Sequence, residues 1–243
     1  MSNPVFNENM VEQTRVLEGE PMTINGAINK TFMLFVCLVA AACYTWFLAF
    51  NGFTDKAGML TFGGAIAGLI LALIIIFSRK AMHILTPLYA VAEGFFIGGV
   101  SAVYAAQYAG IVMQAVIATF AALLSMLILY RTGLIKCTDK FRSVIFTATL
   151  SVALVYLIQI IASLFGRGIP QIFTSSAIGI GFSIVVVGIA AFNLIIDFDF
   201  IERGSQNMLE KKYEWYGAFG LMVTLIWLYL EILRLLAKLS DRR

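Results

Sequence analysis

The residues of this chain that could do chemistry are acids set inside or beside long apolar runs. One stretch, Phe192 to Gly204, reads Phe-Asn-Leu-Ile-Ile-Asp-Phe-Asp-Phe-Ile-Glu-Arg-Gly. Asn193 and Asp197 are four residues apart, so on a helix they share a face. Asp199 turns off that face and can reach Arg203 at i,i+4 as an interfacial ion pair, whereas Asp197 has no such partner in its own segment. An ionisable group in or beside hydrocarbon is costly, so it usually faces a bundle interior or a watery path. Asp197 therefore either marks the end of a span or belongs to a structured acidic site.

Two further acids lie deeper. Glu93 sits in Val91-Ala92-Glu93-Gly94-Phe95-Phe96, and Glu231 in Leu228-Tyr229-Leu230-Glu231-Ile232-Leu233-Arg234. A charge at the centre of a span costs about 2.5–3.5 kcal/mol on insertion scales, so each needs a reason. Arg234 can pair with Glu231 at i,i+3, and for that residue structural pairing and function stay equally open. Glu93 has no basic residue in its own span, so it is protonated, paired across helices, or wet. Gln114, Gln159 and Asn193 read as interhelical hydrogen-bonding groups.

Other membrane chemistries lack their residues. The single histidine, His83, is expected in a short basic loop, too few ligands for an intramembrane zinc hydrolase. Gly181-Phe182-Ser183 resembles the start of a serine-nucleophile motif, but no intramembrane histidine is there to act as its base. Tyr213 to Leu233 contains no lysine for a Schiff base, and no Gly-rich phosphate loop follows a strand. Cys37, Cys43 and Cys137 are scattered, which gives neither a disulfide framework nor metal spacing. No enzymatic activity, metal or cofactor is expected.

The elements that must position these acids are membrane spans. Hydrophobic residues make up 60% and charged residues 13% of 243, against about 25% charged in soluble domains. Mean hydropathy is +0.90. This composition is that of a polytopic, all-α membrane protein. Apolar runs at roughly 31–50, 59–78, 85–104, 111–130, 144–165, 175–197 and 216–236 each approach the ~20 residues that cross about 30 Å of hydrocarbon. Residues 1–30 form a polar arm without the features of a secretory signal, 31–236 the transmembrane domain, and 237–243 a short basic tail. The net charge of +3 comes from loops and tail, with no dense basic cluster suited to nucleic acid.

Loop charges orient the bundle. The side of the arm carries Arg15, Lys30, Arg79, Lys80, Arg131, Lys136, Lys140, Arg142, Arg203, Lys211 and Lys212, and the opposite loops carry Lys56 and Arg167. The excess of Lys and Arg places the arm in the cytoplasm. Lys238, Arg242 and Arg243 would then lie outside, against that rule, so the last segment either crosses or re-enters. Trp46, Tyr104, Tyr108, Tyr130, Tyr213, Trp215 and Tyr216 fall at span ends as belt residues. Gly64 with Gly68 and Gly94 with Gly98 allow helices to approach closely.

Taken together, several motifs resemble the Bax inhibitor (transmembrane Bax-inhibitor-motif) family, in its bacterial YccA-like branch. They are Met22-Thr23-Ile24-Asn25-Gly26, the run Leu129 to Lys136, Asp197-Phe198-Asp199-Phe200-Ile201-Glu202 and Glu214-Trp215-Tyr216-Gly217-Ala218-Phe219-Gly220. The resemblance covers nearly the whole chain after about residue 20. It implies two layers of three helices around a central seventh helix, and a pH-sensitive calcium leak through the middle. It also implies a bacterial inner membrane, an aspartate pair on the sixth and seventh helices, and an arginine near the end of the second. Asp197 matches the first aspartate, and Arg79, or less well Lys80, the arginine. The second aspartate falls at Thr224, where this sequence departs from the family pattern. Without a second carboxylate, flux is expected to change little across neutral pH.

Two functions stay open. One is a cation leak with Glu93, Asp197 and Glu231 along the path and calcium as the ion. The other is a regulator that binds a membrane partner such as a quality-control protease, in which the polar arm matters and the buried acids do not.

Overall fold

The computed structural model describes residues 20–78, 81–165 and 170–242. Arg79 and Lys80, most of the polar arm with Arg15, and Arg167 and Arg243 lie outside the described residues. Seven long helices follow one another: α1 (Ile24–Phe50), α2 (Thr54–Phe77), α3 (Met82–Gln107), α4 (Ile111–Arg131), α5 (Asp139–Leu164), α6 (Ala177–Gln206) and α7 (Tyr213–Ser240). A single helical turn, Pro170–Phe173, precedes α6. Among the described residues the only sheet-like pairing is one bridge between Pro21 and Glu210.

All seven helices are long and apolar enough to cross a membrane. Their outward faces agree, since Met59, Phe62 and Phe77 are 75%, 75% and 84% exposed, a presentation that lipid tolerates and water does not. The protein is an integral membrane protein in contact with the bilayer. α7 continues unbroken for 28 residues, or about 42 Å, so it too has the length to cross.

Most helices overrun the apolar runs that foretold them. α1 starts at Ile24 because Thr23 caps it, its hydroxyl accepting from Gly26 N at 3.0 Å. α5 starts at Asp139 in the same way, with Thr138 accepting from Phe141 N at 3.2 Å. α6 carries on through Asp197, Glu202 and Arg203 to Gln206. His83, expected in a loop, sits in the first turn of α3. Hydrocarbon limits the apolar stretch, but a helix ends only where a cap or turn ends it.

The chain divides into two compact units. The first takes the described residues up to Ala102 with Asp197–Val223. Here α3 packs against α1 and α2 through glycines. A Cβ on Gly94 would stand 2.7 Å from Ala41 Cβ, and one on Gly98 would overlap the backbone of Ala42. A Cβ on Gly64 would stand 2.5 Å from the carbonyl oxygen of Ala92. These small-residue positions let the backbones touch. Beside them Met22, Ala27, Ile201, Leu209 and Tyr213 form a buried apolar cluster. Tyr213 was expected at the membrane belt; it is 6% exposed because the chain at Met22 folds over it.

The second unit takes Val103–Ile196 with the residues from Thr224 onward. Val186, Ala190, Leu194, Leu228 and Leu233 are among its driest positions. Phe141 meets Phe192 edge-on at 5.9 Å, and Tyr156, Phe173 and Phe182 make a group of rings 5.7–6.3 Å apart. Such ring pairs fix the helix register beyond simple area burial.

Candidate functional site

In the first unit two membrane-depth acids are packed against glycine. Glu93 lies eleven residues after the start of α3 and fourteen before its end. Its carboxylate rests on α2, where a Cβ on Gly68 would come 2.6 Å from Oε1. Only glycine leaves that room. Glu93 is half-buried, and among the described residues no hydrogen bond or ion pair reaches it. Asp197, also half-buried, directs Oδ1 to within 3.4 Å of where a Cβ on Gly220 would stand, on α7. Its helical neighbour Asp199 pairs with Arg203 at 3.0 Å, the expected i,i+4 contact. The setting of that pair differs from an exposed interface, because Asp199 is 6% exposed. On the same face of α3 as Glu93, two turns earlier, Thr86 is fully buried with a hydroxyl oxygen that meets no hydrogen-bond partner among the described residues.

Glu231, in the second unit, is 1% exposed and fully engaged. Arg234 Nη1 donates to both of its oxygens at 3.0 and 3.1 Å, so the i,i+3 pair forms. The hydroxyl of Tyr156 donates to Oε1 at 2.8 Å and the Trp227 indole N–H at 3.3 Å. The same Arg234 nitrogen donates to the Tyr156 oxygen at 2.6 Å, and the guanidinium lies 5.0 Å from the centre of that ring. Asn193 bridges helices, its amide donating to Thr149 Oγ1 and to the carbonyl of Ile189, both at 2.9 Å. Thr224 is buried on α7 at 7% exposure and offers a hydroxyl where the family resemblance implies a carboxylate.

Three polar clusters went unread in the sequence. Glu214, 1% exposed, accepts from the backbone N and hydroxyl of Thr23, each at 2.9 Å, and pairs with Lys30. Gly26 lies directly over that carboxylate. Nearby, Met22 N donates to the carbonyl of Leu209, and Lys211 pairs with Glu20. The Lys211 hydrogen bond and charge hold the Glu20 carboxyl below its usual range, and the same contact raises the Lys211 ammonium. A second cluster surrounds Lys238, 4% exposed, which donates to the carbonyls of Ile172 and Gly179 at 3.0 Å and to Ser183 Oγ at 2.9 Å. Ser183, dismissed as a nucleophile, thus has a partner of another kind. The third is Asp241, which accepts from the hydroxyls of Tyr108 and Ser175. Those bonds, Tyr108's first, hold its carboxyl below the usual aspartate range. The partners in all three lie 55 to 191 residues apart in sequence, beyond any local spacing rule.

Chemically, the arrangement separates acids that are paired with a base, Glu231 and Glu214, from one that has no basic partner among the described residues, Glu93. Among the described residues no three His, Cys, Asp or Glu side chains come together as a metal site. Comparison with curated proteins and with solved structures found no match in either. The sequence profile of the family described as Bax inhibitor 1 like matches residues 3–241, almost the full length. With seven helices apolar enough to span a membrane and that match over its length, the chain belongs to the Bax inhibitor 1 like family.

Proposed function

We propose that this protein is a cation leak of a bacterial inner membrane, with its arm in the cytoplasm, passing calcium by way of Glu93 and Asp197. Glu93 carries the reading. A carboxylate in mid-helix, set on Gly68 and given no described partner, keeps the insertion cost that structural pairing would have removed. Membrane acids of that kind mark ion pathways, and hard carboxylate oxygens suit a hard cation. Glu231 contributes less on this reading, because Arg234 and Tyr156 already take up its charge. On this reading Arg79 and Thr224 set the field around the path, and Asn193 fixes α6 to α5.

Purified protein in liposomes loaded with a calcium indicator tests this. Glu93→Gln should lower calcium entry by about tenfold, equal to ~1.4 kcal/mol in the barrier, and Asp197→Asn should lower it as well. Entry no faster than in empty liposomes would remove the leak.

The alternative, a regulator of another membrane protein such as a quality-control protease, draws on a different observation. The base of the arm is fixed: Met22 is buried, Glu20 is tied to Lys211 in the segment between α6 and α7, and Thr23 to Glu214 in the first turn of α7. That anchorage would present the arm at a defined place. Deleting residues 1–18 should abolish regulation and spare flux, while Glu93→Gln should do the reverse.

A further inference from the structure

A polar cleft of ≈ 320 Å³ opens in the second unit, between the last turns of α3 and the end of α7. It falls at the small end of the range for ligand sites, about 300–1,000 Å³. Its charges are arranged in depth. Lys238, 4% exposed, gives its three hydrogen bonds to two carbonyls and a hydroxyl, so no carboxylate neutralises it. Arg234 spends only Nη1, on Glu231 and Tyr156; among the described residues Nε and Nη2 carry no hydrogen bond. A guanidinium edge with two parallel donors is the geometry that grips a phosphate. At the rim stands an acid, Asp241, fully exposed to solvent and held in place by Tyr108 and Ser175. Tyr104 and Gln107 line the wall between.

Cationic depth and an anionic rim select a ligand with the opposite order. We propose that the cleft binds a phosphoethanolamine group, its phosphate on the free edge of Arg234 with Lys238 behind, and its ammonium against Asp241. A plain phosphate would meet repulsion from Asp241, and a metal cation repulsion from Arg234 and Lys238. A quaternary amine would fill the space but has no N–H to donate to Asp241. The cleft lies where helices leave the membrane, at the level where basic pockets between spans hold lipid headgroups. Tyr104 and Tyr108 at the ends of these turns are side chains suited to that level. A lipid headgroup and a soluble phosphodiester share this chemistry. The site uses neither Glu93 nor Asp197 and stands or falls apart from the leak reading.

Delipidated full-length protein in detergent would be titrated separately with dioleoyl phosphatidylethanolamine, phosphatidylcholine and phosphatidylglycerol, and with water-soluble glycerophosphoethanolamine. Bound molecules are counted by native mass spectrometry. The ethanolamine lipid should bind at one per chain and at least about tenfold more tightly than the other two lipids. Asp241→Asn, at an exposed position, should erase the preference over phosphatidylglycerol without loss of folding. Arg234→Lys should weaken all phosphate ligands while keeping a charge beside Glu231. Binding of the soluble diester as tight as that of the lipid would identify the free form as ligand, and binding of the lipid alone the headgroup. Equal retention of the three lipids, or an ethanolamine preference that survives Asp241→Asn, would overturn the site.

Discussion

Two glutamates of this chain, both in apolar helices, differ in what surrounds the carboxylate. Glu231 has an arginine at i,i+3, a tyrosine hydroxyl and an indole N–H; Glu93 has a glycine. Removing one member of a buried pair costs about 3–5 kcal/mol, and Arg234, at 35% exposure, keeps Glu231→Gln toward the lower end. Glu93→Gln instead removes a carboxyl that has no described partner and should leave stability unchanged or raise it. Denaturant unfolding in detergent should thus separate the two, with Glu231→Gln the weaker protein; equal losses would mean that Glu93 is paired as well. Half of this contrast was legible in the sequence. The Glu231–Arg234 spacing is local and follows from helical geometry, whereas Tyr156 arrives from 75 residues away.

Helices were easier to count than to end. Apolar runs give number and order because hydrocarbon demands about 20 apolar residues per span. Thr23, Thr138 and the turn after Gln206 set the real limits, and such capping lies in polar sequence that hydropathy ignores. The same blindness hid the fold-back of Met22 onto Leu209 and Tyr213, whose only trace is glycine at 204 and 217, where a side chain would press on Met22 or Ile201. At the far end of α7, Asp241 ties that helix to Tyr108 and Ser175. Its folded carboxyl is held below the ordinary 3.8, so the stabilisation it gives is present above that pH. As pH falls below 3.8 and through the depressed folded value, that stabilisation is lost. Asp241→Asn should therefore unfold at a lower temperature than the unmodified protein at pH 6, and the gap should begin to narrow as pH falls below 3.8. A gap that stays constant as pH falls below 3.8 would show that the hydroxyl contacts do not depend on the charge.

At the scale of the whole molecule, the proposed orientation rests on the charges at helix ends and loops. Lys140 is exposed in the first turn of α5, between Lys136 and Arg142, and belongs in the cytoplasm under the proposed topology. Lys140→Cys, in a background lacking Cys37, Cys43 and Cys137, should resist a membrane-impermeant thiol reagent in intact cells and react once they are opened. Ready labelling of intact cells would invert the topology. Gly94 and Gly98 of α3 hold α1 at backbone distance, Gly64 of α2 does the same on the other side, and Gly99 makes room for the side chain of Thr61. Backbones locked at van der Waals range behave like meshed gear teeth. Sliding α3 by one residue would drive Phe95 or Glu93 into the carbonyl of Leu38 and, in one of the two directions, Ile97 into that of Ala42. In mechanical terms these three helices form a stator. Any movement that opens a path past Glu93 must leave that assembly unsheared and be carried by parts of the chain outside it.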